Sequence, residues 1–223
     1  MLDAETKLLV SMVIGPRTQK NAYALWNDFR ERTDGVLPEL ITTDEYKVYL
    51  GAILNTYGER QEPSRTGKPG RPCMPKLEPP KDLVYALVHK TREGGKVVDV
   101  SIRQVFGTPE QLDQALDRST VSNHVNTTFV ERFNATVRQH NSRKARKVYS
   151  FSKEFKYHQA MSWFGASYYN FCRPHLGIRE KVDGHWSKRT PAIASGISDH
   201  VWSLDEFTNY PLVHRPFAVV PEH

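Results

Sequence analysis

The spacing of apolar residues predicts alternating strands and helices in the first quarter of the chain. Apolar side chains at intervals of three and four residues predict helices over residues 18–32 and 45–57. Runs rich in large apolar and β-branched residues predict strands over 7–14 and 37–43. Asp44 then lies at the end of the second strand. Strand, helix, strand and helix in this order are typical of an α/β fold, which we predict here.

The middle of the chain predicts a long loop followed by a β-hairpin. Residues 59–81 contain six prolines, which favour an extended and exposed loop. Two apolar runs, 83–89 and 96–106, flank the turn Glu93-Gly94-Gly95 and predict a hairpin. After the hairpin, Thr108 followed by proline predicts the start of a short helix.

We predict one core domain with an extension. The core covers residues 1–176, with the Pro-rich loop (58–82) and the β-hairpin (83–106) inserted in it. Residues 177–223 form the C-terminal extension.

Residues 151–171 predict a helix with a strongly aromatic stripe. The stripe comprises Phe155, Met161, Trp163, Phe164, Tyr168 and Phe171. At helical spacing, such a stripe predicts a face buried in the core. The alternative is a surface on which nucleic-acid bases stack.

The composition of the chain indicates the kind of partner and the compartment to expect. The formal net charge is +6 and the sequence pI is about 9.3, which favours an anionic partner. Cys73 and Cys172 match no zinc-site spacing, so a reduced cytoplasmic protein is the simplest interpretation. No apolar run approaches the ~20 residues that a membrane span requires, and we expect no membrane partner.

Residues 126–147 predict a helix in which one carboxylate precedes many basic side chains. Eight Lys or Arg residues and the single acid Glu154 lie between Arg132 and Lys156. Glu131, near the start, would bind a metal cation, and the bases would hold the phosphates of a nucleic acid. The alternative is a solvated basic helix with one incidental glutamate.

Asp3, Asp44 and Glu131 form a candidate metal-binding set. Strand ends place carboxylates rigidly, and a helix packed across a sheet can bring a third to the same point. Mg²⁺ and Mn²⁺ prefer oxygen ligands, and two ions about 4 Å apart can activate an attacking oxygen and stabilise a leaving one. Local alternatives remain: Asp44 would cap the following helix, and Asp3 would belong to a turn at residues 4–6.

Three blocks resemble the catalytic blocks of DDE-type insertion-sequence transposases. They are Asp3-Ala-Glu-Thr-Lys-Leu-Leu-Val, Leu40-Ile-Thr-Thr-Asp44-Glu-Tyr-Lys-Val-Tyr49 and Asn126-Thr-Thr-Phe-Val-Glu131-Arg-Phe-Asn-Ala-Thr-Val-Arg-Gln. Asn170-Phe-Cys-Arg-Pro-His175 and residues 190–202 resemble the segments that follow in that family. The resemblance spans nearly the whole chain, and the block around Glu131 is its most specific part.

The resemblance implies an RNase H-like fold, that of an integrase catalytic core, with a mixed sheet flanked by helices. It implies metal-dependent DNA 3′-end cleavage and strand transfer of an insertion sequence. Two Mg²⁺ (or Mn²⁺) ions would be held by the catalytic residues Asp3, Asp44 and Glu131. The partners would be transposon-end and target DNA, bound by a homo-oligomer at the nucleoid of a prokaryotic cytoplasm. The residues expected to contact DNA are Arg132, Asn134, Arg138, Arg143, Lys144, Arg146 and Lys147.

The sequence departs from that family in two ways. Only two residues precede Asp3, where the family has a full strand and a DNA-recognition region, so we expect a truncated copy or a late start. The insertion between Asp44 and Glu131 has no assigned role, and DNA contact through Arg65, Lys68 and Arg71 is one interpretation. Two other functions stay open: a non-catalytic DNA-binding remnant, and an RNase H-like nuclease without strand transfer.

Overall fold

The computed structural model describes residues 1–63, 74–145 and 148–210 of the chain. Seven α-helices are formed in these ranges: α1 (Gln19–Arg32), α2 (Val48–Tyr57), α3 (Pro109–Arg118), α4 (Thr128–His140), α5 (Phe155–Phe171), α6 (Pro191–Ala194) and α7 (Leu204–Asn209). The strands in the same ranges are β1 (Ile41–Asp44), β2 (Glu59–Gln61), β3 (Lys76–Glu78), β4 (Tyr85–Glu93), β5 (Lys96–Phe106), β6 (Glu180–Val182) and β7 (His185–Ser187). The predicted mixture of helices and strands is confirmed.

The largest sheet of the described residues contains three strands in the order β1-β4-β5. Strand β1 pairs with β4 in parallel, with Ile41 opposite Tyr85 and Asp44 opposite Val88. Strands β4 and β5 form the predicted hairpin, which is antiparallel and turns at Gly94 and Gly95. Both glycines have positive φ, which favours glycine because no Cβ is present to clash. The sheet is therefore mixed, with β4 as its central strand.

The main core lies between α1, α2 and the start of β4. Trp26, Ile53, Leu83 and Tyr85 are almost completely buried there. Burying side chains of this size contributes roughly 1.5–3 kcal/mol each. Helix α1 begins where Thr18 accepts a hydrogen bond from a backbone N–H of the first turn. As the apolar spacing predicts, one face of α1 packs in this core, with Ala22 and Trp26 buried.

A second, smaller core packs α3 against the sheet. Ala86, Val88 and Val125 are buried in it, and the α3 side chains Leu112 and Leu116 pack against them. The helix starts with a capping box in which Thr108 and the residue three positions later bond each other's backbone. These local signals explain why α3 is formed where the sequence predicts it.

The prediction of a strand over residues 7–14 is wrong. The N-terminal segment makes only an isolated bridge between Leu2 and Leu9. Lys7 has a φ of +63°, which interrupts an extended run. The side chain of Asn170, on α5, then accepts from Leu9 N (3.0 Å) and donates to Leu9 O (2.9 Å). An amide side chain thus replaces the neighbouring strand that the apolar pattern implies.

The Pro-rich segment is not wholly a loop. Strands β2 and β3 pair antiparallel at its two ends, with Glu59 opposite Glu78 and Gln61 opposite Lys76. These strands are too short and too polar to be recognised from their sequence. Residues 64–73, with the suggested DNA ligands Arg65, Lys68 and Arg71, lie outside the described residues.

The prediction that the aromatic stripe of α5 is a core face is largely wrong. Phe155, Met161, Phe164 and Tyr168 are exposed. The buried residues of α5 are instead Ser162, Ala166 and Tyr169. Helix α5 packs against α4 and the short α6, and small residues allow these helices to approach closely. The stacking of bases on this face stays a prediction.

Candidate functional site

Asp44 and Glu131 line one open cavity although 87 positions separate them in the sequence. The cavity measures about 380 Å³. It lies by the end of β1, the second half of β4 and the start of α4, and we call it the Asp44–Glu131 cavity. Its lining residues are Arg17, Asp44, Glu45, Tyr46, Val88, Lys90, Arg92, Thr127 and Glu131.

Asp44 is the last residue of β1 and forms an ion pair with Arg17, which also lines the cavity. Its Oδ2 accepts a hydrogen bond from Arg17 Nη2 at 2.7 Å. The Arg17 guanidinium lies over the Tyr46 ring, 4.3 Å from its centroid, and Tyr46 Oη donates to Arg17 O at 2.8 Å. The alternative role of Asp44 as a helix cap is wrong, because α2 begins at Val48. The carboxylate is therefore aimed at the cavity.

Glu131 lies in the first turn of α4, where the positive end of the helix dipole favours a carboxylate. Its Oε1 accepts hydrogen bonds from Lys90 Nζ and, at 2.8 Å, from Thr127 Oγ1. The hydrogen bond from Lys90 and then that from Thr127 lower the pKa of Glu131 below its ordinary value, against an opposing effect of burial. The carboxylate is thus ionised at neutral pH and available to a cation.

Strand β4 supplies two of the three Lys and Arg residues that line the cavity. Val88, Lys90 and Arg92 line it, and these alternate residues of a strand point to one face. The intervening His89 pairs instead with Glu45. Sequence reasoning did not identify Arg17, Lys90 or Arg92, although the alternation of 88, 90 and 92 within a predicted strand was a usable signal.

Asp3 is the one member of the predicted triad that does not line this cavity. Its carboxylate accepts hydrogen bonds from Glu5 N at 3.2 Å, from Thr6 N at 3.1 Å and from Thr6 Oγ1. It therefore closes the turn at residues 4–6, which is the local role considered for it above. The structure brings together two of the three predicted acids, and a catalytic role for Asp3 stays a prediction.

The predicted DNA-contacting residues lie elsewhere. Asn134 is exposed and Arg138 half-buried on α4, and Arg143 and Lys144 belong to the 3₁₀ turn Ser142–Lys144 that follows. Arg132 lines a different cavity, described below. Arg146 and Lys147 lie outside the described residues. None of the predicted DNA-contacting residues that the structure describes lines the Asp44–Glu131 cavity.

The donor set of the Asp44–Glu131 cavity suits Mg²⁺ in chemical type. Mg²⁺ is commonly held by one or two carboxylates together with waters and substrate phosphates. The ion pairs use Oδ2 of Asp44 and Oε1 of Glu131, so the second oxygen of each carboxylate lies outside them. Across residues 1–63, 74–145 and 148–210, no group of three or more His, Cys, Asp or Glu side chains is placed to hold a metal. The fit is that of a carboxylate pair completed by a substrate.

Comparisons with known proteins give no relative. The chain matches no protein-family model, no curated protein and no solved structure. Within the part of the chain that the structure describes, no helix combines the length and the apolar character needed to cross a membrane.

Proposed function

We propose that this chain is the catalytic domain of a DDE-type DNA transposase, built on an RNase H-like core. The proposal rests on one observation above all: Asp44 and Glu131, distant in the sequence, line a single cavity whose other charged groups are mainly cations. A pair of carboxylates beside Arg17, Lys90 and Arg92 suits a phosphodiester, which needs both a metal and positive charge. The resemblance of the blocks around these acids specifies transposition.

The reaction of such a domain has two balanced steps. A water oxygen forms a bond to phosphorus at the transposon end, and the DNA 3′-oxygen leaves with a proton. That 3′-hydroxyl then attacks a phosphorus of the target, whose own 3′-oxygen leaves in turn. When bound, Mg²⁺ supplies charge neutralisation on the phosphate and acidifies the attacking hydroxyl.

The residues of the cavity have separate tasks in this scheme. Asp44 and Glu131 would hold the metal, because the end of β1 and the start of α4 place both carboxylates at the cavity. Arg17 and Lys90 exchange their carboxylate partners for phosphate oxygens when DNA and metal bind, since the ion pairs of both are partly exposed. Arg92 adds a third cation. Orientation and charge neutralisation therefore account for the catalysis, without a covalent enzyme intermediate.

A second candidate is a DNA-binding remnant without catalysis. The observation that favours it is that Asp44 and Glu131 are already paired with cations and that Asp3 is bonded within its own turn. A third is an RNase H-like nuclease that cuts without joining.

One assay separates the three. The full chain is incubated with Mg²⁺ and labelled duplex DNA taken from the flanks of its reading frame, together with a target plasmid. Joined product that disappears with a chelator supports the transposase. Binding without cleavage, unchanged in Asp44→Ala, supports the remnant. Cleavage of an RNA–DNA hybrid with no joined product supports the nuclease.

A further inference from the structure

A second cavity of the described chain contains only positive charge. It measures about 520 Å³ and lies between the N-terminal segment, α4 and the residues that follow α5. Its charged and titratable lining groups are Lys7, Arg132, Arg173, Tyr169 and His175, with no carboxylate among the lining residues. We call it the Lys7–His175 cavity.

Lys7 is held in this cavity by aromatic and backbone groups. The residue is buried, its Nζ lies 3.7 Å from the centroid of the Phe129 ring, and it donates to Ala4 O. Tyr169 Oη donates to Lys7 O at 3.2 Å, and burial raises the pKa of Tyr169 to about 12. The phenol therefore remains a protonated donor, and the Lys7 ammonium group is held between the Phe129 ring and Ala4 O.

Arg132 and Arg173 reach the same cavity from two directions. Arg132 lies on α4 and Arg173 lies just beyond the end of α5. Neither guanidinium forms a hydrogen bond or an ion pair with any residue that the structure describes. Each keeps its five N–H donors for an external acceptor.

His175 completes the set as a donor even when it is neutral. Its Nδ1 accepts a hydrogen bond from Gly177 N at 3.1 Å, so the neutral ring carries its proton on Nε2. Its backbone N–H is fixed by Arg189 O at 2.9 Å. Burial, and then the charges of Lys7, Arg132 and Arg173, lower the pKa of His175. The three cations are thus close enough to act on a single imidazole.

The carboxylates near this cavity are engaged elsewhere. Burial lowers the pKa of Lys7, and the charges of Asp3 and then Glu5 act in the opposite direction. The Asp3 carboxylate, however, closes its own turn. Glu5 Oε1 accepts from Thr120 N and Thr120 Oγ1, both at 3.2 Å. The positive charge of the cavity is therefore only partly compensated from within the described chain.

We propose that the Lys7–His175 cavity is a binding site for a phosphate group. Arg132 and Arg173 would bind its oxygens as planar, charge-assisted donors, with Lys7 as a fixed charge and His175 Nε2–H as a neutral donor. The cavity, at about 520 Å³, has room for a phosphate that is part of a larger molecule. Two sources share this chemistry: the backbone of a nucleic-acid strand and a free nucleotide. The site is separate from the Asp44–Glu131 cavity and does not require the proposed catalysis.

The test measures binding to the full chain at constant ionic strength. Calorimetry with inorganic phosphate, a nucleoside 5′-monophosphate and a single-stranded oligonucleotide without terminal phosphates compares three proteins. They are the wild type, Arg132→Gln/Arg173→Gln, and the control Lys20→Gln/Lys153→Gln, which removes the same charge at exposed positions outside both cavities. Thermal unfolding verifies that each variant is folded.

We expect the arginine double variant to bind at least about tenfold more weakly than the wild type, since it loses charge-assisted hydrogen bonds. The control should bind like the wild type. If this loss is seen with phosphate and the monophosphate, the ligand is a free nucleotide; if it is seen with the oligonucleotide alone, the ligand is a strand backbone. Equal affinities of all three proteins for every ligand would overturn the proposal.

A second measurement follows His175 in the wild-type protein. Addition of inorganic phosphate should raise the pKa of His175, because the anion offsets the charge of the three neighbouring cations. The imidazole signal, assigned by its absence in His175→Gln, is followed by NMR with and without phosphate. A His175 titration that phosphate does not shift, in a protein saturated by the calorimetric measure, would place the bound anion elsewhere.

Discussion

The Asp44–Glu131 cavity and the Lys7–His175 cavity differ in what balances their cations. In the Asp44–Glu131 cavity, Arg17 and Lys90 face carboxylates and form ion pairs. In the Lys7–His175 cavity, Arg132 and Arg173 face no such partner among the described residues. A cation with a carboxylate partner must exchange it to bind a ligand, whereas an unpaired cation is free to bind at once. The first arrangement suits a site that needs a metal, and the second suits direct anion binding.

The largest expected effect concerns the carboxylates of the first cavity. Asp44→Asn or Glu131→Gln should lower Mg²⁺-dependent DNA processing by about a hundredfold or more, because several kcal/mol of metal-derived charge stabilisation are lost. Initial rates of strand cleavage measure this. Glu39→Gln is the matched control, since Glu39 pairs with Arg118 at 3.5 Å and lines neither cavity. Activity that survives both substitutions would remove the first cavity from the mechanism.

The next largest effect concerns the attachment of the N-terminal segment, which lines only the second cavity, to α5. Asn170→Ala should destabilise the protein by about 2 kcal/mol, because Leu9 N and Leu9 O lose their side-chain partner. Urea unfolding measures the change. Asn134→Ala, at an exposed position on α4, should change stability by less than about 0.5 kcal/mol. The N-terminal segment carries Lys7, so anion binding at the second cavity should weaken as well. Equal stabilities of the two variants would show that the Asn170–Leu9 hydrogen bonds contribute little to the stability of the fold.

Asp3→Asn tests which of two roles this residue has. Because the carboxylate is bonded to the backbone and side chain of its own turn, we expect a loss of about 1 kcal/mol in stability. We expect DNA processing to stay within a few-fold of the wild type, measured beside Asp44→Asn. If Asp3→Asn instead abolishes processing as completely as Asp44→Asn does, Asp3 is a third metal ligand.

The smallest effect is a pH dependence confined to the second cavity. Burial and neighbouring cations hold the pKa of His175 below its ordinary 6.5, so the unfolded chain takes up the proton more readily. The contribution of His175 to stability is therefore present above pH 6.5 and is lost as the pH falls towards the folded-state pKa. Arg173→Gln should raise that pKa and reduce the loss, whereas Lys153→Gln should not. An NMR titration of His175 that is unchanged by Arg173→Gln would contradict this coupling.

Much of the fold follows from signals that act within a few residues. The hydroxyl caps at Thr18 and Thr108 fix the starts of α1 and α3, and the glycine turn fixes the β-hairpin. The residue types of Asp44 and Glu131 and the resemblance of the blocks around them also predict a shared site, and both acids line the Asp44–Glu131 cavity. That they line one cavity is a property of the folded chain.

The features that sequence reasoning missed depend on distant partners. The segment around Leu9 has a strand-like pattern, yet it is bonded to a side chain 161 positions away. The exposed face of α5 cannot be inferred from apolarity, because burial depends on which helices pack against it. The cations Arg17 and Lys90 become part of a site only once the pairing of β1 with β4 is known.

The parallel pairing of β1 with β4 also determines that positively charged side chains lie beside Asp44. Lys90 and Arg92 reach the cavity because they lie an even number of positions beyond Val88, which pairs with Asp44. Deletion or insertion of one residue within β4, between the pairing and the cations, would present the opposite set of side chains and withdraw both bases together. Length changes at this strand should therefore be tolerated in pairs of residues, if at all, whereas single substitutions alter one charge at a time.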